Sequence, residues 1–167
     1  MTDSSTSSTS SVLKTVANLD LPYEEIKIDP AMADTVLFCE RYGFPKEQSG
    51  NTIIVASKKD PKVFVACVVL ATTKLDVNKR VRKLMGVSKA SFASAEEMKE
   101  LTGMEIGGVT PFSLPEELQL YVDSRIMELD WVILGGGGRD RKLKIGPEVF
   151  HQLGAEIVEN LAAPNNL

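Results

Sequence analysis

A loop reading MEIGGVTPFSLP, Met104 to Pro115, carries paired glycines at Gly107 and Gly108 and a proline at Pro111, and almost nothing that could move a proton or bind a metal. Glycine reaches backbone conformations closed to other residues, while proline restricts both itself and Thr110 before it. Such a peptide can hold several backbone N–H groups in a fixed concavity, which stabilises a carbonyl oxygen or a developing oxyanion without any ionisable side chain. A plain structural turn has the same composition. A second run, Gly135 to Gly138, lacks the G-K-[ST] ending of a nucleoside triphosphate loop and the spacing of a dinucleotide fingerprint. It reads as a close-packed turn between strands, or as a point where a ligand approaches the backbone.

Other chemistries have little to be built from. With His151 as the only histidine and no paired Cys/His spacing, neither a structural zinc site nor a histidine-based triad is expected, and no metal or cofactor is assigned. Cys39 and Cys67 read as small buried hydrophobes in a reducing compartment. Asp123, at the end of a predicted strand, is the ionisable candidate for a direct role, with a cap or turn acceptor as the alternative. The net charge is −4, yet nine basic residues lie between Lys58 and Lys89 against Asp60 and Asp76. A further basic group, RDRKLK, spans Arg139 to Lys144. Each group is either a solvated face or part of one phosphate-binding surface, because local field rather than total charge guides a polyanion.

The elements that must position these residues alternate between helix and strand. Asp29 and Pro30 predict a helix start, with Met32, Val36, Leu37 and Phe38 on one broad face and a stop at Gly43. NTIIVASK and KVFVACVVLA predict a buried hairpin around KKDP. LDVNKRVRKLMG predicts a helix capped by Asp76, with Val77, Val81 and Leu84 inward and its basic residues outward. Ser94 and Glu97 have capping-box spacing before a helix that ends at Gly103. LQLYVD and DWVILGGGG read as strands, GPEVFHQLG as a short helix and AEIVENLA as a final strand. The pattern predicts one mixed α/β domain, a mostly antiparallel sheet or barrel with helices outside it, rather than a doubly wound nucleotide fold. The Ser/Thr-rich opening, residues 1–12, is expected to be a disordered tail, and residues 13–167 the domain. With no secretory signal and no apolar run of membrane-spanning length, a soluble cytoplasmic protein is expected.

The ordered series EQSGNTIIVAS, LDVNKRVRKLMG, TGMEIGGVTPFSLP and LYVDSRIMELDWVILGGGG closely resembles the YbaK / prolyl-tRNA synthetase-associated domain family of aminoacyl-tRNA deacylases. The similarity runs from about Gly43 to Leu161. It implies a compact mixed-sheet domain that hydrolyses the ester joining a wrong amino acid to tRNA. The family's glycine-x-x-x-proline loop matches Gly107 to Pro111, its valine-aspartate strand end matches Val122 and Asp123, and its glycine turn matches Gly135 to Gly138. One departure stands out: Asn51 precedes Thr52 where the family typically has a lysine, so a neutral, shorter donor replaces a cation.

From this resemblance, Asn51, Thr52, Gly107, Gly108 and Asp123 are the catalytic candidates. Phe38, Tyr42, Ile54, Val109, Thr110, Pro111, Phe112, Gly135 and Gly136 are candidates for the substrate pocket, although aromatic and apolar residues there are also ordinary core. Lys79, Arg80, Arg82, Lys83, Arg139 and Lys142 are the candidate tRNA contacts. The implied partners are aminoacyl-tRNA and an aminoacyl-tRNA synthetase. The loop favours a working carbonyl site, whereas Asn51 favours a noncatalytic module that binds aminoacyl-tRNA or an amino acid.

Overall fold

The computed structural model describes residues 4–104 and 108–164, with side chains from Ser11 onward. Its frame is the hairpin of β2 (Gly50–Ser57) and β3 (Phe64–Leu70), paired antiparallel from Gly50 opposite Leu70 to Ala56 opposite Phe64. Both strands are rich in β-branched residues rather than alternating apolar with polar, as expected of strands covered on both faces. Period-two geometry sends Ile54, Ala66 and Val68 into one core and Val55, Val65, Cys67 and Val69 into another. β5 (Ala90–Phe92) adds antiparallel to β2, while β6 (Gln119–Asp123) and β9 (Glu156–Val158) add parallel beyond β3, giving the order β5-β2-β3-β6-β9.

A second sheet has the order β1-β8-β7, formed by β1 (Tyr23–Lys27), β7 (Val132–Gly135) and β8 (Arg141–Ile145), all antiparallel. A bridge between Ser49 and Ile133 sets β7 beside the start of β2. The sheets stay open, so of the two expected architectures the mixed sheet forms and the barrel does not. A third, two-stranded sheet pairs β4 (Thr73–Leu75) with β10 (Ala162–Pro164). The largest core lies between the two main sheets, where Ile54, Val68 and Val122 meet Leu134, Leu143 and Ile145, and Phe112 and Phe150 fill the remaining space.

The helices correct two expectations. Residues 4–12 of the expected disordered tail belong to α1 (Ser4–Ala17). Val12 and Val16, one turn apart, are fully buried in the central core, and this packing overrides the weak helix propensity of a Ser/Thr-rich run. The helix predicted from Asp29 is two elements: a 3-10 turn at Pro30–Met32 capped by Asp29, then α2 (Thr35–Tyr42), separated by extended backbone at Asp34. This break turns Phe38 and Cys39 inward and leaves Val36 50 % and Leu37 40 % exposed, so of the predicted apolar face Phe38 is buried while Val36 and Leu37 are not. Further on, Asp76 caps a π-helical turn at Val77–Val81 that continues into α3 (Arg82–Met85), with Val77 and Val81 buried as expected. α4 (Ala95–Thr102) carries the full Ser94/Glu97 capping box and ends at Gly103, and α5 (Val149–Gln152) is the short helix after Pro147.

Candidate functional site

A cavity of about 410 Å³ opens where the start of α2, the first half of β2, the junction of β5 with α4, Val109 and the β7–β8 hairpin converge. Asn51, Thr52, Ile54, Val109 and Gly135 of the expected site all line it. The volume falls in the range of small-molecule sites. Asn51 is fixed from the side: the Thr35 hydroxyl donates to its Oδ1 at 2.6 Å. With its oxygen engaged, the amide has its two N–H donors, which find no partner among the described residues, to offer a ligand. Thr52 contributes a buried Oγ1 with no hydrogen-bond partner among the described residues. A buried hydroxyl in that state is costly in a closed core but is explained beside a cavity that takes a polar ligand or water.

Lys142 is the cation of this cavity. It enters from β8, paired with Gly135 across the hairpin, and is 6 % exposed. Its Nζ stands 5.6 Å from the centre of the Phe38 ring. Burial, followed by the charge of Arg139, pushes its pKa down to about 8, against the opposing pull of Asp34 and Cys39. The expectation that Lys142 is part of an outer tRNA-binding surface is therefore corrected. In KLKI, Leu143 and Ile145 enter the core, so strand alternation sends Lys142 and Lys144 to the opposite face, where Phe38 and Trp131 lie beside their ammonium groups. That alternation was a readable signal, hidden because RDRKLK looks like a solvated charge run.

The two glycine segments pack against each other, backbone on backbone. Gly137 N–H donates to the Gly108 carbonyl at 2.8 Å. A Cβ on Gly108 would come within 2.8 Å of the Gly138 backbone, and one on Gly135 would overlap the Val109 carbonyl. The tight turn expected at Gly135 to Gly138 thus also clamps the loop that delivers Val109 to the cavity. Gly107 lies outside the described residues. Beyond Val109 the loop turns into the core: Thr110 and Phe112 are fully buried, Pro111 is buried, and none of the three lines the cavity.

Several other candidates sit elsewhere. Asp123 is 1 % exposed and is a structural staple rather than a cavity residue: its Oδ1 accepts from Arg125 N–H, its Oδ2 accepts from Ala162 N–H at 2.9 Å, and Arg125 Nη1 pairs with both oxygens. Phe38 packs beneath the site with Ile133, and Tyr42 accepts at its hydroxyl from Asp29 N–H, so both support α2 instead of touching the cavity. Gly136 abuts Arg141. Arg139 pairs with Asp34 and donates to the Pro30 carbonyl, tying the hairpin to the start of α2. Arg80 and Arg82 donate to backbone carbonyls of Glu159, Asn78 and Val87, while Lys79 and Lys83 remain exposed. Of the two cysteines, both buried and free, Cys67 has its thiol pushed up to about 12 by burial and is not a ready nucleophile.

Sequence reasoning missed the opposite wall: Asp34, Thr35, Val36, Phe92 and Met98. A split helix placed the first three there, and β5 is too short to announce itself.

Known proteins bear on this geometry. Residues 29–153 match the model of the aminoacyl-tRNA editing domain. An uncharacterized protein of Bacillus subtilis (strain 168), YwhH, is 33 % identical over 111 residues, covering 61 % of this chain and 69 % of its own. A crystal structure described as a candidate trans-editing enzyme for prolyl tRNA synthetase superposes with a TM-score of 0.78 at 19 % identity, over 99 % of each chain. The hypothetical protein APE2540 superposes with a TM-score of 0.80 at 25 % identity, over 89 % of this chain and 97 % of its own. The match spans well over half of the sequence and contains the cavity residues Asn51, Thr52, Val109, Gly135 and Lys142: the chain belongs to the aminoacyl-tRNA editing domain family.

Proposed function

We propose that this protein is a trans-editing deacylase, hydrolysing the ester that joins a mismatched amino acid to tRNA. The observation that carries the reading is the meeting of Asn51, Thr52 and Lys142 on one cavity inside the editing domain. An aminoacyl ester is activated relative to an amide, so the site need only position water, hold the carbonyl and exclude other orientations. In the proposed step, water adds to the ester carbonyl carbon and the bond to the ribose oxygen breaks. That oxygen leaves with a proton, and the products are free amino acid and tRNA. The vicinal ribose hydroxyl relays the proton, so no general base is drawn from the protein. Lys142 supplies the positive charge that position 51 lacks, Asn51 and Thr52 orient the terminal adenosine or the water, and backbone N–H groups at Gly107 and Gly108 receive the carbonyl oxygen.

Selection by such a pocket is by size, since binding alone separates small amino acids poorly. Ile54, Val109 and Met98 belong to its apolar lining. A synthetase that makes the mischarged tRNA is the proposed protein partner. Among the described residues no helix is long and apolar enough to cross a membrane.

The test is a panel of tRNAs, each carrying one labelled amino acid, followed for ester loss above the spontaneous rate by the natural protein and by Asn51→Lys. Hydrolysis of one or a few species by the natural protein supports the deacylase. Hydrolysis by Asn51→Lys alone supports the second reading, a binding module without catalytic charge, which the asparagine at position 51 favours.

A further inference from the structure

We infer that the unpaired 3′ end of the RNA leaves the cavity across Phe92 and lies in a second groove on the far side of β5, its phosphates taken by Lys58 and Lys74. The inference rests on the proposed reaction in one respect, that an acylated RNA end occupies the first cavity. The groove encloses about 510 Å³ between the outer edge of β5 and the Leu75–Asn78 segment. Phe92 lines both cavities. At 56 % exposure it is the most exposed large hydrophobic side chain among the described residues, an open ring on the ridge between two hollows. Such rings serve single-stranded nucleic acid as stacking platforms, since every base offers a π-face.

The strand beneath it adds backbone donors and acceptors. Lys58 N–H bonds to the Lys89 carbonyl, and Ala93 N–H to the Ile54 carbonyl, so alternate residues of β5 face β2. The alternation turns the backbone groups of Ala90 and Phe92 toward the open edge, where base edges can meet them. Charge also favours this exit. The α2 side of the cavity carries Asp34, paired with Arg139, and the first turn of α4 carries Glu96 and Glu97, the latter paired with Lys62, so neither offers an excess of positive charge. The groove has Lys58 and Lys74 against Asp76, whose side chain caps Lys79 N–H. It also leads to the Val77–Val81 turn, and so toward exposed Lys79 and Lys83.

The experiment is fluorescence anisotropy with an uncharged, 5′-labelled single-stranded RNA ending in CCA. It uses the natural protein, Phe92→Ala and the double variant Lys58→Gln/Lys74→Gln, with thermal melts to confirm that each variant folds. Phe92→Ala is expected to weaken binding about 10-fold, from the loss of one stacked base. The double variant is expected to flatten the salt dependence by about 1.4 in log–log slope, from two lost phosphate contacts on a single strand. Unchanged affinity and slope in both variants would overturn the groove. A second readout is hydrolysis of adenosine esterified with the amino acid selected from the charged panel, a substrate confined to the first cavity. The double variant should keep that rate while losing efficiency on intact tRNA; equal loss on both substrates would also overturn the groove. If the natural protein hydrolyses no ester while its RNA binding still depends on Phe92 and the two lysines, the groove stands and the deacylase reading falls.

Discussion

Asp123 and Lys142 are both buried charges on strands, yet they are built in opposite ways. Asp123 has each oxygen engaged by backbone N–H groups and by Arg125, which also reaches the Ala162 carbonyl; together they fasten the 3-10 turn at Ser124–Glu128 to β10. Lys142 instead borders a cavity, and its burial is severe enough to bring its pKa down to about 8. A buried charge that ties two elements together serves the fold. A buried charge at a cavity wall, its proton affinity lowered by desolvation, is of the kind that concentrates at functional sites.

The largest expected effect breaks the comparison on the structural side. Asp123→Ala leaves Arg125 and two backbone groups without their acceptor and should cost about 3 kcal/mol of stability, at the low end for a buried pair because Arg125 is 30 % exposed. Urea unfolding measures this, and the remaining folded protein should keep its kcat/KM within a few-fold. Retained stability with lost hydrolysis would instead make Asp123 catalytic. Lys142→Met should do the reverse: about a 100-fold loss in kcat/KM, the scale of removing one electrostatic stabiliser, with a smaller loss of stability than Asp123→Ala. A stable variant with full activity would remove Lys142 from the mechanism.

The pH dependence sharpens the same contrast. The proposed deacylase activity should lose kcat/KM as pH rises through about 8, once spontaneous base hydrolysis is subtracted, because the Lys142 cation is discharged there. Stability should move the other way. The folded-state pKa lies below the ordinary 10.5, so between those values the unfolded chain holds more protons, and the burial penalty is relieved as pH rises. Burial sets this value first, with Arg139 lowering it further and Asp34 and Cys39 opposing, and Lys142→Met should show neither trend. A profile that rises through pH 8 would make the neutral amine the active form. The smallest expected effect is that of Thr35→Val, which frees Asn51 Oδ1 and should lower kcat/KM about 5-fold, the order of one net hydrogen bond, with little change in melting temperature.

Legibility followed the range of the interactions involved. The hairpin of β2 and β3, the capping box at Ser94 and Glu97, and the stops at Gly43, Gly86 and Gly103 were readable because neighbours along the chain determine them. The glycine turn was readable as close-packed, but not what it packs against: the partner, Gly108, lies 27 residues or more upstream of it. α1 was unreadable because hydroxyl-rich sequence does not form helix on its own; the burial of Val12 and Val16 against the sheets supplies the stability. Asn51, Thr52, Ile54, Val109 and Gly135, expected from the family resemblance, meet on one cavity, whereas Phe38, Tyr42 and Phe112 lie outside its lining.

What the sequence by itself determined is the central hairpin with its caps and stops, the family, and the absence of a lysine at position 51. What only the tertiary structure decided is where the positive charge went. Period two puts Lys142 on the face of β8 away from the core, and that face would be solvent in an isolated hairpin. The packing of α2, with Phe38 beside the ammonium group and Thr35 holding Asn51, turns it into a cavity wall. Residues 35, 51 and 142 meet only when the chain has folded, because desolvation belongs to the packed layers and not to any one segment.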